Sequence, residues 1–381
     1  MAQKETIIRG VEATSNIDRR GDVFLPEALE EMARQANGPE TIRRTVEHDR
    51  TLPPWGKVLR AWIERGENGE VRLLSESVMF DDPQEIILPD GTIAGIQSTT
   101  LDVRPFAGSN QDSSLEMDVA IDLANFPIEE EAQAFLTQIR ADAGVPFNSG
   151  FFIRKSFVLP PEIIIALAKP LALLIGGLAP GKKLLDKTGD KVSQSIASDL
   201  DKFYKLVRSV VINTVKHMYP KNRPVTYVFT AAGEPQITFV ARTEKGEAVI
   251  AATKIEIIAD ALVGAAAIHQ QYDTREIQYL LEEDGKWHFN YLLTKTGAVI
   301  GSKASFSRRT HQLALLNQVK GHGDAVQVEA DVSEPVAITI ASSPVAIGQG
   351  LSFGGAYRTP PQMTQEQPLE QIVGQPNKAE H

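Results

Sequence analysis

The chain has 381 residues, a formal net charge of −10 and a pI near 5.3. An acidic surface repels phosphate backbones, so no nucleic acid partner is expected. Cysteine is absent, which excludes disulfide bonds, thiolate nucleophiles and cysteine-ligated zinc. The first ten residues, MAQKETIIRG, lack the apolar stretch of a signal peptide, so we expect a cytoplasmic protein. A chain of this length favours two or three structural units over one.

Residues 1–157 have the pattern of a β-rich unit with flanking helices. Helices are predicted at 26–36 and 126–143. The second has Pro127 and three glutamates in its first turn, which suit the positive end of the helix dipole, and Gly144 offers a left-handed exit. Residues 88–110, rich in Gly, Pro, Ser and Thr, predict a surface loop or hairpin. Alternating or β-branched runs predict strands at 6–13, 57–63, 71–80 and 115–123.

Residues 158–222 are predicted to form a helical segment. Its first part, 162–178, is almost wholly apolar and is interrupted only by Lys169 and Pro170. A helix buried in its own domain is the favoured interpretation, since a central lysine and proline are costly inside a bilayer. The alternative is a helix that inserts into a membrane or a partner, helped by the lysines at 182, 183 and 187. Residues 182–218 then show the periodicity of an amphipathic helix.

Residues 223–325 predict an α+β domain without a visible catalytic set. One helix is expected at 247–268, and residues 302–309 (SKASFSRR) are interpreted as a solvated basic surface strip. Residues 326–381 form a low-charge, strand-like stretch and a Pro/Gln-rich tail that is predicted to be disordered. The expected strands of the α+β domain lie at 225–230, 236–242, 276–282, 287–294 and 298–300.

One histidine, His48, stands in the stretch VEHDRTLPPWGKV, at the end of an apolar run and before a Pro-rich turn. An imidazole can act as a general base near neutral pH, and a nearby hydroxyl can then act as a nucleophile. About a hundred residues later the stretch PFNSGFFI carries Ser149 in a strand-like context. A histidine base and a serine nucleophile are the smallest set of catalytic residues for a serine peptidase.

The order of these motifs resembles the N-terminal part of phage prohead proteases of the HK97 type, which share the assemblin fold. The resemblance covers residues 5–155. It includes an Asp-x-x-Gly-Asp turn, a helix, a histidine, and a later strand with a Gly-Phe pair. The matching positions here are Asp18, Gly21, Asp22, Pro26, His48 and the pair Gly150-Phe151. The resemblance implies a β-barrel, His48 as general base and a serine nucleophile.

The sequence departs from the family pattern at the nucleophile. If Gly150 and Phe151 align with the family's pair, Asn148 holds the nucleophile position and Ser149 follows one residue later. Neighbours in a strand face opposite sides, so that shift would point Ser149 away from His48. The candidate carboxylates for orienting the imidazole are Asp118 and Asp122, with Glu116 as another, and Ser113-Ser114 are further hydroxyls.

No cofactor or metal site is expected. The histidines at 217, 269, 288, 311 and 322 show no metal-ligand spacing, and no phosphate-loop motif occurs. The sequence thus predicts an α+β protein. Its parts would be an N-terminal assemblin-like β-barrel, a central helical segment and a C-terminal α+β domain that regulates the barrel or recruits a substrate.

The predicted function is that of a serine peptidase-like protein acting on a protein or peptide, with His48, Ser149 and Asp118 or Asp122 in the site. The alternative is a catalytically silent interaction or scaffold protein in phage or defence biology, with membrane contact and oligomeric state left open.

Overall fold

The computed structural model describes residues 5–16, 24–108, 117–123, 126, 128–152, 160, 162–167, 190–217, 223–319 and 327–329. For residues 190–200, 255, 317–319 and 327–329 only the backbone is described. The helices are α1 (Pro26–Ala36), α2 (Glu129–Ala143), α3 (Asp190–His217), α4 (Gly246–Ala252), α5 (Ile255–Gln271) and α6 (Lys303–Val319).

The strands of the described residues form two sheets. They are β1 (Thr6–Thr14), β2 (Arg43–Arg44), β3 (Gly56–Arg65), β4 (Val71–Met79), β5 (Gln84–Ile87), β6 (Ile93–Gln97), β7 (Met117–Asp122), β8 (Asn148–Phe152), β9 (Glu162–Leu167), β10 (Val225–Ala231), β11 (Gln236–Thr243), β12 (Thr274–Leu281), β13 (Trp287–Thr294), β14 (Val299–Ser302) and β15 (Gln327–Glu329).

The first sheet has five antiparallel strands in the order β15-β1-β4-β3-β2. Helix α1 covers one of its faces. Leu29, Ala33 and Ala36 recur at helical spacing and are buried against Val58 and Leu73 of β3 and β4. Helical periodicity in α1 and alternation in the strands thus build a small core of their own.

The second sheet has ten strands in the order β5-β6-β14-β13-β12-β11-β10-β9-β7-β8. Three neighbouring pairs are parallel, namely β7 with β8, β9 with β10, and β11 with β12. The other pairs are antiparallel. The protein is therefore a mixed α+β structure, as predicted.

One face of this sheet, which we call the helical face, contributes to the largest hydrophobic core among the described residues. Helices α2, α3, α4 and α5 supply buried side chains to that core. Phe203 of α3, for example, packs edge-on against Phe229 of β10, with 5.8 Å between ring centroids. The strands contribute Val119, Ile165, Phe239 and other apolar residues to the same cluster.

The opposite face, which we call the turn face, is covered by the β2–β3 connection and by α6. Phe306 of α6 packs with Tyr291, Leu293 and Val299 of the sheet and with Phe106. The turn face also carries most of the ionic side chains of the sheet, described below. The two faces thus differ sharply in chemistry.

The prediction of a helix over 162–178 is wrong in the part of this range that the structure describes. Residues 162–167 form strand β9, which lies inside the sheet between β7 and β10. A short apolar run fits a buried strand as well as a buried helix, and the β-branched Ile163, Ile164 and Ile165 favour the strand. Residues 168–178 lie outside the described residues.

The predicted basic strip at 302–309 is also wrong. Ser302 ends β14 and residues 303–309 form the first part of α6, where Ser305, Phe306 and Arg309 are buried. The predicted helix at 247–268 is observed as two helices, α4 and α5, separated at Thr253 and Lys254. The predicted end of α2 is confirmed, because Gly144 has a φ of 62° and its N–H donates to the Arg140 carbonyl at 3.2 Å.

The ten-stranded sheet draws strands from three of the four predicted units. Strand β6 lies beside β14, and β7 lies beside β9. The unit boundaries predicted at 157 and 222 therefore do not coincide with boundaries between sheets. Strands of residues 1–157 are divided between both sheets.

Among the helices of the described residues, none has the length and apolar character needed to cross a membrane.

Candidate functional site

His48 lies in a tight turn of the β2–β3 connection. The N–H of Asp49 donates to the Val46 carbonyl at 2.7 Å, and the two residues between them, Glu47 and His48, have φ values of 49° and 64°. Positive φ at both middle positions is the signature of a type I′ turn, which usually carries Asn-Gly. Here two residues with full side chains occupy it, at a cost of about 1–2 kcal/mol each. Both are partly exposed.

Asp49 fixes the end of this turn to the sheet. Its carboxylate accepts hydrogen bonds from both terminal nitrogens of Arg242 on β11, at 2.9 and 2.6 Å. It also accepts from the backbone N–H and the hydroxyl of Thr51, at 2.8 and 2.7 Å. Bidentate, charge-assisted bonds of this kind are among the strongest in proteins. With four donors and 4% exposure, Asp49 is a structural anchor.

Two further ion pairs join residues 43–55, which we call the His48 segment, to the ten-stranded sheet. Arg50 Nε lies 2.6 Å from the carboxylate of Glu162 on β9, and Arg43 lies 2.8 Å from that of Glu276 on β12. Burial opposes the charge of each arginine, but the neighbouring carboxylates outweigh it and raise the pKa of both Arg43 and Arg50. The segment is therefore tied by charge to strands β9, β11 and β12.

A further layer of hydrogen bonds completes the attachment. Asn290 of β13 donates to the Thr51 carbonyl at 2.9 Å and to the Gln278 side chain at 2.7 Å. Arg308 of α6 in turn donates to Asn290 at 2.8 Å. The neighbouring Arg309 donates to the Pro54 carbonyl and to Gln97, and burial lowers its pKa to about 10. The β2–β3 connection is thus hydrogen-bonded to β13 at Thr51 and to α6 at Pro54.

Ser149 lies on β8, the strand at one edge of the ten-stranded sheet. Its register partner on β7 is Val119, whose own partner on β9 is Ile165. Residues in register across a sheet face the same side, and Val119 and Ile165 are buried in the core under the helices. Ser149 therefore faces the helical side, where Arg140 of α2 donates a hydrogen bond to its hydroxyl.

Asn148 lies on the other face. Its partner is Asp118 of β7, which pairs in turn with Ala166 of β9. Ala166 is four residues from Glu162, so both point to the turn face, where Glu162 binds Arg50. Alternation along β7 places Asp122, which is 2% exposed, on that face as well. The turn face thus holds Asn148, Asp118, Asp122 and the segment that carries His48.

The structure does not bring Ser149 to the face that the His48 segment covers. Ser149 and the connection that carries His48 therefore lie on opposite faces of the sheet. Asp118 and Asp122, the predicted orienting carboxylates, are on the same side as the segment. Glu116, Ser113, Ser114, Asp18, Gly21 and Asp22 lie outside the described residues.

The sequence did not predict the ion pairs that Arg43, Asp49 and Arg50 form with the ten-stranded sheet. Arg43, Asp49 and Arg50 stand out in the sequence only as charges beside a histidine, and their partners lie between 112 and 233 positions further along the chain. Within the part of the chain that the structure describes, no group of three or more His, Cys, Asp or Glu side chains is arranged to hold a metal ion.

Comparison of the chain with protein family models, with curated proteins and with solved structures finds no match.

Proposed function

We propose that the protein is a catalytically silent interaction or scaffold protein whose residues 5–155 are related to prohead proteases. The observation that carries the proposal is the alternation of β8. It places Ser149 on the helical face and Asn148 on the face that the His48 segment covers.

Nucleophilic catalysis by a serine requires a base within hydrogen-bond reach of the hydroxyl, about 2.6–3.2 Å. Two side chains that leave a sheet on opposite faces point away from each other, which opposes such a contact. The hydroxyl of Ser149 instead receives a hydrogen bond from Arg140. A guanidinium stays protonated in proteins, so it cannot accept the proton of the hydroxyl.

The chemistry of the turn face supports the same conclusion. Asp49, Glu162 and Glu276 are each paired with an arginine, so their charges are used to attach the segment. The attachment holds Glu47 and His48 in a defined and partly exposed conformation. A rigid turn presented in this way suits contact with a partner protein or peptide.

A fluorophosphonate probe tests the proposal. We expect no labelling of the wild-type protein under conditions in which a known serine hydrolase is labelled fully. The rival function is a serine peptidase with His48 as base, Ser149 as nucleophile and Asp118 or Asp122 as orienting group. That function is supported by the resemblance, and it predicts labelling of the wild type that is lost in both Ser149→Ala and His48→Ala. Such a pattern would overturn the silent role.

A further inference from the structure

The sequence contains two Asn-Gly pairs, Asn37-Gly38 and Asn68-Gly69. In such a pair the backbone nitrogen of the glycine can attack the side-chain amide carbon of the asparagine. Glycine allows this attack because it has no Cβ atom and permits backbone conformations that other residues rarely adopt. The attack closes a five-membered succinimide ring and begins deamidation. In a folded protein the reaction also requires that the asparagine side chain can move into position.

The side chain of Asn37, at the end of α1, is held by three hydrogen bonds. Its Nδ2 donates to the carbonyls of Ala33 and Ala61, at 2.9 and 2.6 Å. Its Oδ1 accepts from the N–H of Ala61 at 3.0 Å. Deamidation would remove Nδ2, the donor of two of these bonds, and rotation of the amide would break the third. The environment of Asn37 therefore opposes the reaction.

Asn68 lies in the loop between β3 and β4. It is exposed, and among the described residues no partner forms a hydrogen bond with its side chain. The backbone nitrogens of the two glycines are held alike. The Gly69 N–H donates to the Gly66 carbonyl at 3.1 Å, and the Gly38 N–H donates to the Gln35 carbonyl at 3.1 Å. The two pairs therefore differ in how the asparagine side chain is held.

We propose that Asn68 is a site of spontaneous deamidation in the folded protein and that Asn37 is protected from this reaction. The Gly69 nitrogen gives its proton to a base in the solvent and forms a bond to Cγ of Asn68. The bond between Cγ and Nδ2 then breaks, and Nδ2 takes up a proton and leaves as ammonia. Water opens the succinimide ring at Cγ to give aspartate, or at the backbone carbonyl carbon to give isoaspartate. In sum, one water is consumed, one ammonia is released and a carboxylate replaces the amide.

The position of Asn68 connects the modification to the end of β1. Glu70, two residues further on, accepts a hydrogen bond from the Asn16 side chain at 2.8 Å. The N–H of Val71 donates to the Ser15 hydroxyl at 2.8 Å. Isoaspartate adds a carbon atom to the main chain of the loop and places a negative charge near Glu70. We therefore expect it to weaken the attachment of residues 15–16 to β4.

The test follows both sites in the full-length chain, incubated folded and, in parallel, unfolded in denaturant. Mildly alkaline buffer speeds the reaction, because the glycine nitrogen must lose its proton. Mass spectrometry of proteolytic peptides measures deamidation at each site, and a protein isoaspartate methyltransferase measures isoaspartate. The matched control is Asn68→Gln, which keeps an exposed amide but would have to close a six-membered ring, a slower reaction.

In the folded protein we expect Asn68 to deamidate at least about tenfold faster than Asn37, because Asn37 must first lose its hydrogen bonds. In denaturant the two sites should react at similar rates. Similar rates at both sites in the folded protein, or a difference that persists in denaturant, would overturn the inference. So would an Asn68 that stays intact in the folded protein while the unfolded chain is converted.

Amide hydrogen exchange measures the effect on β1. Exchange at residues 15–16 should be faster in wild-type protein that has been incubated than in fresh protein, and should stay unchanged in incubated Asn68→Gln. Equal exchange in incubated and fresh wild type would contradict the weakened attachment. The reaction at Asn68 is independent of the role proposed above, so the two proposals fail separately.

Discussion

Asp49 and Arg242 form a bidentate ion pair across 193 positions of sequence, with nitrogen–oxygen distances of 2.9 and 2.6 Å. The pair joins the turn that carries His48 to strand β11, near the middle of the ten-stranded sheet. The conformation of a local turn thus depends on a residue from a distant part of the chain.

Asp49→Asn should destabilise the fold by about 2–4 kcal/mol, because it leaves the Arg242 guanidinium without its carboxylate. Denaturant unfolding of Asp49→Asn, Arg242→Met and the double variant measures the coupling between the two residues. We expect a coupling free energy above about 1.5 kcal/mol. If the free-energy changes of the two single variants add up to that of the double variant, the ion pair makes no net contribution to stability.

The turn at Glu47 and His48 allows a second prediction. Replacing the two residues by Asn and Gly should stabilise the protein by about 1–2 kcal/mol, since both replacements tolerate positive φ. The control is replacement of both by alanine, which keeps the Cβ atoms and should give less than half of that gain. Thermal unfolding measures the difference. Equal melting temperatures for the Asn-Gly and Ala-Ala variants would contradict backbone strain at this turn.

Lys57 provides a pH dependence. Its ammonium group is buried and donates to the carbonyls of Asp102 and Arg104, each at 2.8 Å, and burial lowers its pKa to about 8. In the unfolded chain the pKa of a lysine is about 10.4. Between pH 8 and pH 10.4 the Lys57 side chain therefore binds more protons in the unfolded state than in the folded state. The contribution of Lys57 to stability should therefore rise as pH increases from about 8 to about 10.4.

The measurement for Lys57 is the unfolding free energy of the wild type minus that of Lys57→Met, followed from pH 7.5 to pH 10. We expect this difference to increase with pH. The subtraction removes the contribution of every other titrating group that the two proteins share. A difference that stays constant or falls with pH would contradict the lowered pKa.

Two glycines of the first sheet make a matched pair. A Cβ atom on Gly56 would lie 2.2 Å from the Val78 carbonyl oxygen of the neighbouring strand, whereas one on Gly10 would meet nothing within 4 Å. Gly56→Ala should therefore cost more than about 2 kcal/mol through a forced backbone shift. Gly10→Ala should change stability by less than about 0.5 kcal/mol. Similar melting temperatures for the two variants would contradict the close approach of β3 and β4 at Gly56.

The local patterns of the sequence predicted most helices and strands but not their arrangement. The end of α2 at Gly144 and the strand over Trp287–Thr294 follow from neighbouring residues alone. The opposite orientations of Asn148 and Ser149 also follow from the period of a strand. Local patterns do not encode contacts between distant segments. They therefore could not predict that β8 pairs with β7 or that Glu162 binds Arg50.

The interpretation of 162–167 failed for a different reason. Three consecutive isoleucines within an apolar run suit any fully buried element, and the choice of a strand depends on the neighbours β7 and β10. Such a run carries no alternation from which a solvent face could be recognised.

The order of strands in the large sheet has a consequence for biosynthesis. Strand β6 leaves the ribosome about two hundred residues before β14, its neighbour in the finished sheet. Until β14 has been synthesised, the backbone groups on the edge of β6 that faces it have no native partner, which exposes the nascent chain to wrong pairing. We therefore expect the ten-stranded sheet to form slowly, only after β14 has been synthesised, and to need chaperones at high expression levels.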